Sequence, residues 1–171
     1  NDADAMNGLY ICYDEGIGVP KNEEKAQYWL SLGADLDSRH AQNSLSTKLE
    51  EKGQIENCRY YRLKAANGGN GMAQSNIAFE YQNGGAVFDE NIQQAEYWYK
   101  KAIEGGSLQA MCNYAITLEN KENRTDEELT QAITYYKRAA MLDYVPAYIT
   151  LGNCYYHGLG LEESDKDAER W

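Results

Sequence analysis

Proline, histidine and cysteine are all scarce in this chain, with two, two and four copies in 171 residues. Proline breaks helix interiors because it lacks a backbone donor and clashes with the preceding turn, so its scarcity leaves long stretches free to be helical. Two histidines and four cysteines supply little material for a metal centre or a catalytic nucleophile. Cations are short as well. Sixteen Lys and Arg face 27 Asp and Glu, a net charge of −11. Nucleic-acid binders need basic side chains to displace counterions from phosphates, so a nucleic-acid partner is not expected. Adhesion to an anionic membrane surface is disfavoured for the same reason. No apolar run approaches the roughly 20 residues that span a bilayer, so no membrane insertion is expected. The chain opens Asn1-Asp2-Ala3-Asp4 without a signal-peptide pattern and stops on Trp171 inside an expected helix. Both ends therefore read as cut from a longer protein, which leaves room for a targeting segment removed upstream.

What is abundant is apolar and aromatic material: 43% hydrophobic residues and 15 tyrosines, ample for a core. It is arranged in repeats. Alanines at 5, 41, 73, 110 and 147 each open a similar block. Four residues after each stand Leu9, Leu45, Ile77, Tyr114 and Leu151, and eight after stand Tyr13, Leu49, Tyr81, Leu118 and Tyr155. Apolar residues at offsets zero, four and eight lie on one face of a helix, here called helix A. Further along each block Ala26, Cys58, Ala95, Ala132 and Ala168 are followed three residues later by Trp29, Tyr61, Trp98, Tyr135 and Trp171. Small residues recur seven and eight positions on, at Gly33-Ala34, Ala65-Ala66, Ala102 and Ala139-Ala140. This is a second helix, B, whose small residues admit close approach while the ring fills the gap. Neither helix buries its stripe alone, but stacked pairs do.

Glycines punctuate the blocks. Gly16-Ile17-Gly18-Val19-Pro20 links the helices of the first repeat, Gly158-Leu159-Gly160-Leu161 those of the fifth, and Gly84 and Gly85 those of the third. The second repeat keeps only Gly53 in a shorter link, and the fourth has a polar stretch, Asn120 to Glu128, without glycine.

Taken together these residues resemble the Sel-1-like repeat family of the tetratricopeptide superfamily. Ala147, Leu151, Gly152, Tyr155, Gly158 and Gly160 match the first half of its signature, and Lys25, Ala26, Trp29, Ala95, Trp98 and Ala102 the second half. The resemblance implies an all-α fold: a right-handed superhelical solenoid of stacked antiparallel helix pairs, about five repeats, in one domain over residues 1–171 with the last repeat incomplete. It also implies a non-catalytic protein-binding scaffold. Disulfide-rich relatives, for which a ligand-binding or hydrolytic role has been suggested, carry regular cysteine pairs that this chain lacks, so that role is not carried over.

Other chemistry finds little support. No Gly-x-x-x-x-Gly-Lys-Ser/Thr occurs, so the glycines read as helix caps rather than a phosphate loop. His40 and His157 fall three repeats apart, too far to share a metal. Cys12, Cys58, Cys112 and Cys154 do not fall on touching helices, so free structural thiols and a reducing compartment are expected. No cofactor, metal or catalytic residue is expected, and the protein is read as not an enzyme.

In the tetratricopeptide superfamily helix A lines the concave face. Removing the core offsets leaves a column at plus two with Asn7 and Asn43, and one at plus six with Ile11, Thr47, Phe79, Ile116 and Asn153. The column at plus nine holds Asp14, Glu50, Gln82, Glu119 and Tyr156, and that at plus ten Glu15, Glu51 and Asn83. These residues are the expected partner-binding groove. Asn offers both donors and acceptors to a peptide backbone. Ile11, Phe79 and Ile116 make an apolar strip, and the acids along one edge suit a partner bearing Lys and Arg. Two alternatives stand: these residues are merely solvated helix ends, or a shifted register places the apolar column in the core. The charge also suits an immunity or inhibitor protein that neutralises a basic toxin or effector. The incomplete last repeat exposes part of its stripe, which implies end-to-end self-association.

Overall fold

The computed structural model describes residues 3–159 and 164–171; Gly160 and Leu161 of the fifth link lie outside them. The described residues form ten helices and no strand. The chain divides into two compact units, Asn1–Gly105 and Gly106–Trp171. The first holds three hairpins: α1 (Ala3–Glu15) with α2 (Glu23–Asp35), α3 (Arg39–Glu51) with α4 (Ile55–Asn67), and α5 (Gly71–Asn83) with α6 (Ile92–Glu104). The second holds α7 (Leu108–Glu119) with α8 (Asp126–Ala140), and α9 (Val145–Tyr156) with α10 (Asp165–Arg170). Odd helices are the expected A helices and even ones the B helices.

The junctions between hairpins use one local device. Ser38, Asn70 and Ser107, each three residues before a repeat alanine, accept a hydrogen bond from the N–H of Ala41, Ala73 and Ala110. Each satisfies a backbone donor that has no partner within the helix, a gain of about 1 kcal/mol. Immediately before each cap stands a residue with positive φ: Asp37 (63°), Gly69 (82°) and Gly106 (86°). Asp143 (59°) occupies the same place before Tyr144. Glycine takes this left-handed conformation freely and Asp tolerates it, so the chain can reverse from helix B into the next helix A within a few residues. The N–H groups of Ser38, Asn70 and Tyr144 then reach back to the carbonyls of Gly33, Ala65 and Ala139. Those bonds close the preceding helix in the manner of a Schellman cap.

Packing follows the repeat columns. The alanines at 41, 73, 110 and 147 are fully buried, as are Ile77 and Leu151, while Tyr114 is 2% exposed. Helix α3 packs on α2, α5 on α4 and α9 on α8. The closeness is legible at Gly33: a Cβ there would lie 2.9 Å from that of Ala41. Trp98 is buried, whereas Trp29, Tyr61 and Tyr135 are half-buried on the flank of their hairpins. The first repeat departs from the expected core. Ala5 is exposed and Leu9 is 38% exposed, because among the described residues no helix B precedes α1 to cover that face.

The two links that lack the glycine pattern use other contacts. Between α7 and α8, Arg124 donates to the Glu119 carbonyl at 2.7 Å and Lys121 pairs with Glu128 at 2.7 Å. Thr125 and Glu128 then form a reciprocal capping box at the start of α8. Between α3 and α4 the link is only a turn around Gly53, whose φ is 68°.

Candidate partner-binding face

The columns left over from the core divide sharply. At plus six the side chains are exposed in every repeat: Ile11 (37%), Thr47, Phe79 (55%), Ile116 (41%) and Asn153. In the first unit this sets Ile11, Thr47 and Phe79 at one register of α1, α3 and α5; in the second it sets Ile116 and Asn153 on α7 and α9. Large apolar side chains repeated at one solvent-facing register are costly to leave in water.

The plus-two column is largely interior. Asn7 is half-buried and accepts from the Ser44 hydroxyl at 3.2 Å, while Asn43 is only 8% exposed. Asn43 Oδ1 is buried without a hydrogen-bond partner among the described residues.

At plus nine, four of the five residues have intramolecular partners. Glu50 accepts from the Arg62 guanidinium, Gln82 from the Tyr99 hydroxyl at 2.9 Å, and Glu119 from the Tyr136 hydroxyl at 3.0 Å. Arg62, Tyr99 and Tyr136 stand at the same offset of their B helices, so one polar tie recurs in three hairpins with different chemistry. The first repeat has Leu30 at that offset, and Asp14 instead takes the Tyr10 hydroxyl at 3.4 Å and pairs with Lys48 at 3.7 Å. Sequence reading assigned these groups to the groove edge. The signal that reveals their role is the polar residue at the paired offset of helix B, which only the hairpin geometry brings opposite.

The Arg62 side chain is 3% exposed, and its guanidinium also pairs with Glu80. Glu80 Oε2 accepts in turn from the N–H groups of Val87 and Phe88, and Arg59 donates to the Val87 carbonyl. These bonds fix the 84–91 link, with Val87 and Phe88 buried beneath it. Burial pushes the Glu80 carboxyl above the ordinary carboxylate range, against the opposing pull of Arg62.

The remaining acids and amides of the edge stay in water. Glu15 and Glu51 are exposed, the latter 3.8 Å from Lys48, and Asn83 donates to the Phe79 carbonyl at 2.8 Å. Tyr156 is 57% exposed and its ring meets His157 edge-on. His40 lies 3.4 Å from the Asn70 amide. No cluster of three potential metal ligands occurs among the described residues, nor a helix long and apolar enough to cross a membrane. All four cysteines are free, and burial raises Cys112 and Cys154 to about 11, which keeps both as neutral thiols at physiological pH.

Hairpins of paired helices joined at recurring junctions, with an exposed register left on the A helices, define a helical-repeat solenoid of the kind that binds other proteins. The Sel1 repeat model matches residues 3–38, 71–107, 108–144 and 145–171, and the chain belongs to the Sel1 repeat family. Residues 39–70 fall outside the matches although α3 and α4 pack as the other hairpins do; Arg62, Cys58 and the shortened Gly53 link replace the usual residues there. One solved structure of similar fold is c5321, a protective antigen of uropathogenic Escherichia coli strains displaying an SLR fold. The likeness has a TM-score of 0.83 at 26% identity, over 99% of this chain and 37% of that one. Another is a Sel1 repeat protein from Oxalobacter formigenes, with a TM-score of 0.85 at 24% identity over 99% and 68%. The chain thus spans well under half the length of the first. No curated protein matches the sequence. Sel1 repeats generally act in protein–protein interaction, typically as scaffolds without catalysis.

Proposed function

We propose that this chain is a non-catalytic scaffold that holds a protein or peptide partner against the exposed register of its A helices. The observation that carries the reading is the plus-six column. Ile11 and Phe79 in the first unit and Ile116 in the second are large, apolar and exposed at one register of their own helices, while the repeat alanines Ala41, Ala73, Ala110 and Ala147 are sealed in the core. Such residues act as anchors in a partner's pockets, and the surrounding polar side chains set orientation. Glu15, Glu51 and Asn83 supply such side chains in the first unit, and Asn153 and Tyr156 in the second.

A basic partner suits the net charge and the two solvated acids Glu15 and Glu51. The charge contribution is smaller than composition alone suggests, since Asp14, Glu50 and Glu119 already have intramolecular partners. An immunity or inhibitor role against a basic effector remains the second reading, favoured by the charge of −11. Salt separates the two: opposite-charge recognition weakens steeply as ionic strength rises, and apolar anchoring does not. The test is binding of a captured partner to the wild type and to Phe79→Ser and Ile116→Ser variants at low and moderate salt. Loss in the variants at both salts supports the apolar register, and unchanged binding overturns it.

A further inference from the structure

Within the first unit, a pocket of about 410 Å³ opens among α1 and the N-terminal ends of α3 and α5. Asn7, Arg39, His40, Asn43, Ser44 and Met72 line it, with the start of α5 beside them. The chain carries a net charge of −11, yet no Asp or Glu lines this pocket among the described residues. Arg39 makes it locally basic.

Its donors suit an anion. Gly71 and Met72 hold the first two positions of α5, where backbone N–H groups have no acceptor within the helix. The Asn70 side chain caps the N–H of Ala73 instead. Arg39 gives one N–H to the Gly68 carbonyl at 3.4 Å, out of the five in its guanidinium fork. A helix start and a guanidinium both favour negative charge, and a carboxylate accepts two N–H groups side by side. One group asks for the opposite. Asn43 is 8% exposed, and its Oδ1 is buried without a hydrogen-bond partner among the described residues. Ser75 holds the same offset in α5 but satisfies itself, donating to the Gly71 carbonyl at 2.8 Å. A buried acceptor left unpaired is costly, so Asn43 calls for a donor brought by a ligand. The pocket therefore matches a carboxylate with an N–H close beside it.

We propose that this pocket binds the C-terminal end of a partner polypeptide. A chain terminus carries its carboxylate and its last peptide N–H on one and the same carbon. The carboxylate accepts from Arg39 and the first N–H groups of α5, and the peptide N–H donates to the Asn43 amide. The proposal rests on the reading of this chain as a protein binder and names the part of the partner that it holds. Asn7 and Asn43 stand one helical turn before Ile11 and Thr47, so the pocket and the plus-six column share a face of α1 and α3.

The test is a nuclear magnetic resonance titration of the isotope-labelled chain with N-acetylglycylglycine, its C-terminal amide and acetate. The free acid should move the Asn43 side-chain amide and the Gly71 and Met72 backbone signals, saturating with a dissociation constant on the order of 1 mM. The amide and acetate should each bind about tenfold more weakly or less, since each lacks one half of the match. Arg39→Gln and Asn43→Ser should each weaken the free acid by about tenfold. Arg39 is exposed and serine already fills the Asn43 offset in α5, so both variants should fold, which circular dichroism checks. Phe79→Ser lies outside the pocket and should leave the titration unchanged. A failure of the plus-six reading would therefore show in partner capture and not here. Signals that do not move at these residues overturn the proposal, as does equal binding of the acid and its amide. Acetate that binds as tightly as the dipeptide also overturns it, because the site would then take a free carboxylate and not a chain terminus.

Discussion

The Tyr136 hydroxyl donates to a Glu119 carboxylate oxygen at 3.0 Å, tying helix B of the fourth repeat to the C-terminal end of its helix A. Tyr136 is wholly buried, and burial together with the Glu119 charge holds its proton far above the usual phenol range. A buried hydroxyl must find an acceptor, and the acceptor sits on the column that sequence reasoning gave to the groove. Tyr136→Phe should cost about 1–2 kcal/mol of stability, since the ring packing remains and only the charge-assisted bond is lost. Urea unfolding measures it; an unchanged midpoint would mean the bond contributes nothing net.

Arg62 plays the same part in the second repeat with a larger stake. Its enclosed guanidinium lies between Glu50 and Glu80, so removing it leaves two carboxylates without their counter-charge. Arg62→Met should destabilise by about 3–5 kcal/mol, the range for breaking a buried pair from one side. Adding Glu80→Gln should recover part of the loss. Equal stability of the single and double variants would contradict the coupling.

Trp98 fills its hairpin from a buried position at 5% exposure. Trp98→Ala should cost about 3–5 kcal/mol through the cavity it leaves. Phe79→Ala, at a residue 55% exposed, should change stability by no more than about 0.5 kcal/mol. Thermal unfolding of the two variants side by side separates core column from surface column.

The buried thiols fix a pH response. Burial raises Cys112 and Cys154 to about 11 from an ordinary 9.0. Between those values the unfolded chain has released these protons and the folded chain still holds them. The native state therefore binds more protons, and stability falls as pH rises from 9 toward 11. Cysteine-to-alanine substitution at both positions should flatten that part of the urea-midpoint profile, and an unaltered slope would contradict the assignment. Half-buried Cys12 should be the first of the four to react with an aqueous thiol reagent, ahead of buried Cys58, Cys112 and Cys154.

The helices and their pairing were legible because the repeat alanines and leucines obey a 3.6-residue period that only stacked hairpins satisfy. The apolar character of Ile11, Phe79 and Ile116 was legible for the same reason, by subtraction from the core columns. The ties at Glu50, Gln82 and Glu119 were not, because a carboxylate or amide at a helix end looks alike whether it faces water or a hydroxyl on the next helix. Asn43 misled in the opposite direction: a polar residue at a non-core offset reads as surface, yet this offset lies inside the stack. The exposure of Ala5 and Leu9 escaped the pattern because a repeat column says which face packs, not whether a neighbour is there.

The most direct test of the central claim is a comparative capture from a lysate of the native organism, using immobilised wild type and an Ile11→Ser/Phe79→Ser/Ile116→Ser variant, quantified by mass spectrometry at two salt concentrations. Folding of both baits is verified first. The account predicts at least one protein retained stoichiometrically by the wild type and depleted on the variant at both salts. Equal retention by the two baits, or retention abolished by salt alone, would contradict it.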